Sequence, residues 1–194
     1  MKNAIFYGSI LSLALICGSA QALELPKPDM SSAILKTIDA RKSTRSYSDK
    51  PISEKMLSNL LWAAFGINSR GTRTIPTAMN MQNLKIFVIY NNGTWQYDVA
   101  NNRLNQINTP DLMPFITKQD FVNKAPLHFI YAGRDKTAEV HTGSSYENVA
   151  LYAAEQGLAA VVRGSIDRNA LHKALNLGDD EIITYHQAIG YPAE

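Results

Sequence analysis

Apolar residues at Ala33, Ile34, Leu35 and Ile38 recur at helical spacing and predict a helix from Ser32 to Ala40. A second helix is predicted after Pro51-Ile52-Ser53. Ser53 is its N-cap, Met56 its third residue, Leu57, Leu60, Leu61 and Ala64 its buried face, and Gly66 its stop. Asn68 to Ala78 reads as a loop punctuated by Gly71 and Pro76. Leu84–Tyr90 is almost continuously apolar, as a buried strand is, and Asn92-Gly93 turns it back into a strand over Thr94–Val99. Asn101–Asn123 is polar and broken by Pro110 and Pro114, so it predicts only weak helix or irregular chain. A second central strand follows at Leu127–Ala132, then a helix over Tyr146–Gly157 and a short strand over Leu158–Val162. A helix over Asn169–Leu175 and a last strand over Ile182–Ile189 complete the pattern. Helices first, then strands and helices interleaved, predict an α+β fold with helices around a small mixed sheet.

The start of the chain follows a different plan. Met1-Lys2-Asn3 is short and positive, Ala4 to Ile16 is apolar, and Ala20-x-Ala22 supplies a small-residue pattern. These are the parts of a secretory signal peptide, predicted to be cleaved after Ala22. The apolar run falls short of the ~20 residues of a spanning helix, so no stable membrane anchor is expected after cleavage. Residues 23–194 then form one domain, periplasmic or secreted. The sole cysteine, Cys17, leaves with the leader, which removes disulfides, thiolate nucleophiles and cysteine-held metals. Lys+Arg 19 against Asp+Glu 17, with no basic run, disfavours nucleic acid as a partner.

Familiar catalytic patterns are missing. His128, His141, His172 and His186 are isolated in sequence, Gly143-Ser144-Ser145 is not a nucleophile elbow, and no P-loop or G-x-G-x-x-G is present. Alternation places His128 in a strand, where packing or a hydrogen bond is its expected use. The informative strip is Arg41-x-Ser43-x-Arg45. In an extended segment these three side chains share one face, and two guanidiniums with a hydroxyl suit a phosphate. A solvated polar loop would carry the same residues. A second cluster, Pro76-Thr77-Ala78-Met79-Asn80-Met81-Gln82, precedes the first strand and can offer donors and acceptors to a planar heterocycle, or can cap its own loop. A third is Arg163-Gly164, where glycine admits a ligand close to the backbone, or makes an ordinary turn. From their loop Arg70 and Arg73 could bind an anionic substrate, although exposed loop arginines usually do nothing so specific.

Together these clusters resemble the nitroreductase-like FMN-dependent oxidoreductases, particularly a compact branch related to azoline-oxidising dehydrogenases. The segments that carry the resemblance are Arg41–Tyr47, Leu60–Gly66, Arg73–Gln82, Tyr146–Leu158, Val162–Asp167 and Ile189–Pro192, in the family's order. The resemblance implies a mainly antiparallel sheet and a homodimer with FMN at the subunit interface. It also implies a cofactor site drawn from Arg41, Lys42, Ser43, Arg45, Pro76, Thr77, Ala78, Asn80, Gln82, Arg163 and Gly164. In the family the flavin carries the hydride to or from a small organic molecule, and no side-chain acid or base is required. Many members place further basic residues beyond the segment matched by Ile189–Pro192. This sequence reads only to Glu194, so the phosphate grip is expected to rest on the Arg41 strip or Arg163. Export separates the protein from cytosolic NAD(P)H, so a different electron donor is expected. The alternative is a non-catalytic exported module that keeps the fold and a ligand.

Overall fold

The computed structural model describes residues 22–193. The predicted leader and Cys17 therefore lie outside the described residues, apart from Ala22. Helix α1 spans Ala33–Ala40 and α2 spans Glu54–Phe65. Strands β1 (Lys85–Tyr90), β2 (Gly93–Asp98) and β3 (Arg103–Gln106) follow, then a one-turn helix α3 (Met113–Ile116) and β4 (Leu127–Arg134). The chain ends in α4 (Ala138–Glu155), β5 (Ala159–Arg163), α5 (Arg168–Ala174) and β6 (Glu181–Gly190).

The strands form one six-stranded sheet in the order β3-β2-β1-β4-β6-β5. All five pairings between named strands are antiparallel. The mixed character expected of the sheet is confined to one isolated parallel bridge, Ser43 with Ala160, at the β5 edge.

Alternation along β4 sorts the core onto two faces. Leu127, Phe129 and Tyr131 pack with Leu57, Leu60, Leu61, Phe65, Val149 and Ala153 beneath α2 and α4. Ile130 and Ala132 point the other way, to Leu112, Ile116, Val122 and Leu171. Because both faces are covered, β4 is buried from Leu127 to Gly133, His128 included.

Helix α2 forms as predicted. Ser53 Oγ accepts the Met56 N–H at 3.2 Å, and Gly66 closes the helix with its N–H on the Trp62 carbonyl at 2.8 Å. A Cβ at Gly66 would lie 2.5 Å from the Trp62 side chain, so a close approach, not an unusual φ, requires glycine there.

Two expectations need correction. The segment 101–123 contains β3, held against β2 by its register with Trp95 to Asp98. Helix α4 begins at Ala138, eight residues before the predicted start, because its first two turns bury small and polar residues instead of large apolar ones. Helix α1 forms, but it buries none of its residues; Ile34 and Ile38 are 55% and 48% exposed.

Candidate functional site

The strip from Arg41 is extended, and Ser43 and Thr44 lie beside Ala160 of β5, with the Thr44 N–H on the Ala160 carbonyl at 3.1 Å. Lys42 and Thr44 line a groove with Ala40, Ala154, Gly157 and Pro192. Arg41, Ser43 and Arg45 alternate with these in sequence and do not line that groove, so Lys42 is set apart from the other residues of the predicted phosphate strip. Arg41 Nε is 3.5 Å from Glu147 on α4, a half-exposed pair that orients the guanidinium more than it stabilises the fold. Arg45 is exposed.

Gly164 follows β5 directly, so it lies about 13 Å along the strand from Ala160. A Cβ there would meet nothing closer than Arg168 Nη2 at 3.5 Å and Tyr185 at 3.6 Å. Those are ordinary van der Waals distances, and Gly164 itself is exposed, so a ligand can reach its backbone.

Arg163 behaves differently from expectation. Its side chain is 5% exposed and is spent inside the protein. Nε donates to Gln119 Oε1 at 2.9 Å, Nη1 to the Ile116 carbonyl at 2.7 Å, and Nη2 to the Ser165 carbonyl at 3.2 Å. The guanidinium is therefore not available to a phosphate; only the Arg163 backbone remains beside Gly164. Nη1 also reaches His186 Nδ1 at 3.2 Å, and His186 Nε2 lies 3.1 Å from His128 Nδ1. An arginine can only donate, so His186 Nδ1 accepts, its proton sits on Nε2, and His128 Nδ1 accepts in turn. Burial holds both histidines neutral: His128 is pushed down to about 4, and His186 well below the ordinary histidine value. Sequence gave these two histidines no relation, since β4 and β6 bring them together across 58 residues.

The loop before β1 is strained. Met79, Asn80 and Gln82 have φ of 47°, 55° and 49°, the left-handed region that non-glycine residues seldom adopt. The loop is held in place by its own contacts. Gln82 Nε2 donates to Asn80 Oδ1 at 2.7 Å, the Gln82 N–H to Thr77 Oγ1 at 3.3 Å, and the Ala78 N–H to His141 Nε2 at 2.8 Å. His141, buried on α4, is completed by Asn83 Oδ1 3.1 Å from its Nδ1. Pro76, Thr77 and Asn80 line a cavity of about 360 Å³ with Asn68, Arg70 and Arg73.

Helix α4 thus ties two clusters together: Glu147 meets Arg41, and His141, six residues earlier and about 9 Å along the axis, holds the Ala78 loop. The strip and the loop nevertheless border different cavities within one chain. A larger cavity of about 1050 Å³ opens between the β1–β2 turn and the start of β4 and includes none of the predicted site residues. Among the described residues no group of three or more His, Cys, Asp or Glu is placed to hold a metal ion.

With this geometry in place, comparison with known proteins is decisive. The model of the nitroreductase family matches residues 38–191. The chain belongs to the nitroreductase family. A protein of Methanocaldococcus jannaschii assigned as a nitroreductase is 26% identical over 179 residues, covering 80% of this chain and 90% of its own length. A crystal structure from Ralstonia eutropha JMP134, also assigned as a nitroreductase, superposes with a TM-score of 0.76 at 33% identity, covering 88% of this chain and 89% of that one. A Clostridium acetobutylicum structure assigned as an NADH oxidase shares the fold, with a TM-score of 0.59 at 23% identity over 81% of this chain and 88% of its own. This nitroreductase-family chain is a flavin oxidoreductase of α+β fold.

Proposed function

We infer that the protein is an exported, FMN-dependent oxidoreductase that moves a hydride between flavin and a small organic molecule, and that it works as a homodimer. The observation that supports the cofactor assignment is that Arg41, Ser43 and Arg45 alternate with Lys42 and Thr44 in an edge segment and stay off the groove those two line, a donor set with the charge and hydroxyl chemistry of a phosphate site. FMN differs from riboflavin by that phosphate. Bound FMN would supply two-electron chemistry that no side chain here can provide. The chain's own part is to bind and orient. The strip receives the phosphate, the Thr77–Asn80 loop offers an amide and a hydroxyl, and the open backbone at Gly164 admits a ring edge.

Two features support a dimer. The strip and the loop border separate cavities, as they would if each subunit contributed part of a site. Apolar side chains also stand unpartnered on one chain: Ile34, Ile38, Trp62, Met79 and Val140 are between 47% and 83% exposed. The signal-like start supports export, and export in turn calls for an electron donor other than cytosolic NAD(P)H.

The test is cofactor retention by the purified chain. Wild type, loaded with FMN and freed of excess, is expected to keep flavin absorbance and to bind FMN at least about tenfold more tightly than riboflavin. Arg45→Ala should lose most of that preference. Equal affinity for the two flavins in wild type would remove the strip from the assignment, and a colourless protein would remove FMN altogether.

A further inference from the structure

The cavity beside the Thr77–Asn80 loop has an unusual electrostatic make-up. Its lining of Asn68, Arg70, Thr72, Arg73, Thr74, Ile75, Pro76, Thr77 and Asn80 contains two arginines and no carboxylate. Arg73 is half-buried, with its guanidinium over the Phe65 ring at 4.6 Å. Its Nε and Nη1 are buried without a hydrogen-bond partner among the described residues, and the residue lines the cavity wall. Burial pulls its pKa below the ordinary arginine value, with Tyr97 nearby working the other way. A cation taken out of water without an anion is costly, and this one is neither ion-paired nor hydrogen-bonded among the described residues.

The neighbouring polar groups complete a set of donors. Thr77 Oγ1 accepts from the Gln82 N–H and keeps its own proton to give. Thr72 Oγ1 accepts from Asn68 Nδ2 and likewise keeps a proton. Asn80 Oδ1 is occupied by Gln82, so its free function is the Nδ2 donor. The Arg70 backbone N–H donates to Asn68 Oδ1 at 2.9 Å, while its guanidinium makes no hydrogen bond or ion pair among the described residues and adds a second charge at the rim.

We propose that this cavity is a subsite for the carboxylate of a small organic acid, which Arg73 receives and which thereby lies against the Thr77–Asn80 loop. The assignment of that acid as the flavin's reaction partner rests on the function proposed above; the anion site itself does not. The subsite would make the enzyme select anionic over neutral substrates of the same shape. It would also explain why an arginine occupies a half-buried place on the face of Phe65, where an apolar residue would pack without a charge to neutralise.

Benzoate and its neutral isostere benzamide test this directly, by calorimetry on the purified chain with and without FMN. Wild type is expected to bind benzoate about tenfold or more tightly than benzamide, the preference a charge-assisted pair confers. Arg73→Gln should bring the two within about twofold, and Arg73→Lys should keep part of the preference. Thermal melts give a second readout. Benzoate should raise the melting temperature of wild type but not of Arg73→Met, and without benzoate Arg73→Met should melt no lower than wild type. If Arg73→Gln does not fold, Arg70→Gln is expected to weaken benzoate binding while leaving benzamide binding unchanged. Equal affinity for the two probes in wild type, or an undiminished preference in Arg73→Gln, overturns the proposal. So does loss of the FMN-over-riboflavin preference in Arg73→Gln, which would make the cavity the cofactor's own phosphate site. A protein that retains no FMN but still prefers benzoate removes the flavin reading and keeps the anion site.

Discussion

His141 accepts the Ala78 N–H on Nε2, so its one ring proton in the neutral state sits on Nδ1 and faces Asn83 Oδ1. One side chain therefore holds both ends of the strained loop, whose left-handed residues would relax if released. Replacing His141 by Leu removes the partner of the part-buried Ala78 N–H and should cost about 1 kcal/mol in a urea melt. Flavin retention should fall in parallel. A variant of full stability that still loses flavin would show that the loop's shape, and not the fold, depends on His141. Undiminished stability and retention together would show that the loop holds itself. Arg163 illustrates how a charged side chain singled out in the sequence can be committed to the core. Its position beside Gly164 is as expected, but its charge is turned into the core, where His186 and three oxygen acceptors receive it.

At the scale of elements, α2 depends on its first turn. Ser53→Ala removes the acceptor of the Met56 N–H and should lower stability by about 1 kcal/mol in chemical denaturation, with Ser53→Asp restoring it. An unchanged midpoint in Ser53→Ala would mean that packing of Leu57, Leu60 and Leu61 alone sets that end. This helix was legible because cap, apolar face and glycine stop all agreed. Strand β1 was legible as an almost unbroken apolar run too short for a core helix, and β4 and β6 as β-rich runs despite His128, Thr184, His186 and Gln187 within them. Strand β3 was not, because Arg103-Leu104-Asn105-Gln106 has one apolar side chain and takes its conformation from β2. The start of α4 was hidden in the same way. His141, Thr142 and Ser145 are buried there, and Thr142 is satisfied by Thr184 at 2.8 Å, a partner 42 residues away that local periodicity cannot register. Of the candidate site, the edge position of the strip beside Ala160 was not readable from spacing, since it depends on β5, which lies more than a hundred residues away. Nor was the burial of Arg73, since it depends on Phe65 lying beneath it.

For the whole molecule, the buried His128–His186 pair predicts how stability varies with pH. Both are held neutral in the fold, and His128 titrates at about 4 instead of the ordinary 6.5. Between those values the unfolded chain binds more protons than the folded one, so stability rises with pH. It should be full above about 6.5 and be lost as pH falls toward 4, by on the order of 3 kcal/mol from His128 alone. The lowered carboxyls of Asp98 and Asp135 act only below 3.8, outside that window. Urea midpoints at several pH values between 4 and 7.5 check this. A flat profile would mean that the pair charges without opening the core.

The contact between Ser43 and Ala160 has one more consequence. Strand β5 is the last in its sheet, and a bare outer strand offers its backbone to any passing chain. By laying Ser43 and Thr44 along that border, the polypeptide closes it with a segment rich in positive charge. The stretch proposed to grip a phosphate is thus also a guard against self-association of newly made protein. Changes that loosen it for the sake of ligand specificity would raise the tendency to aggregate, even where the folded molecule loses little stability.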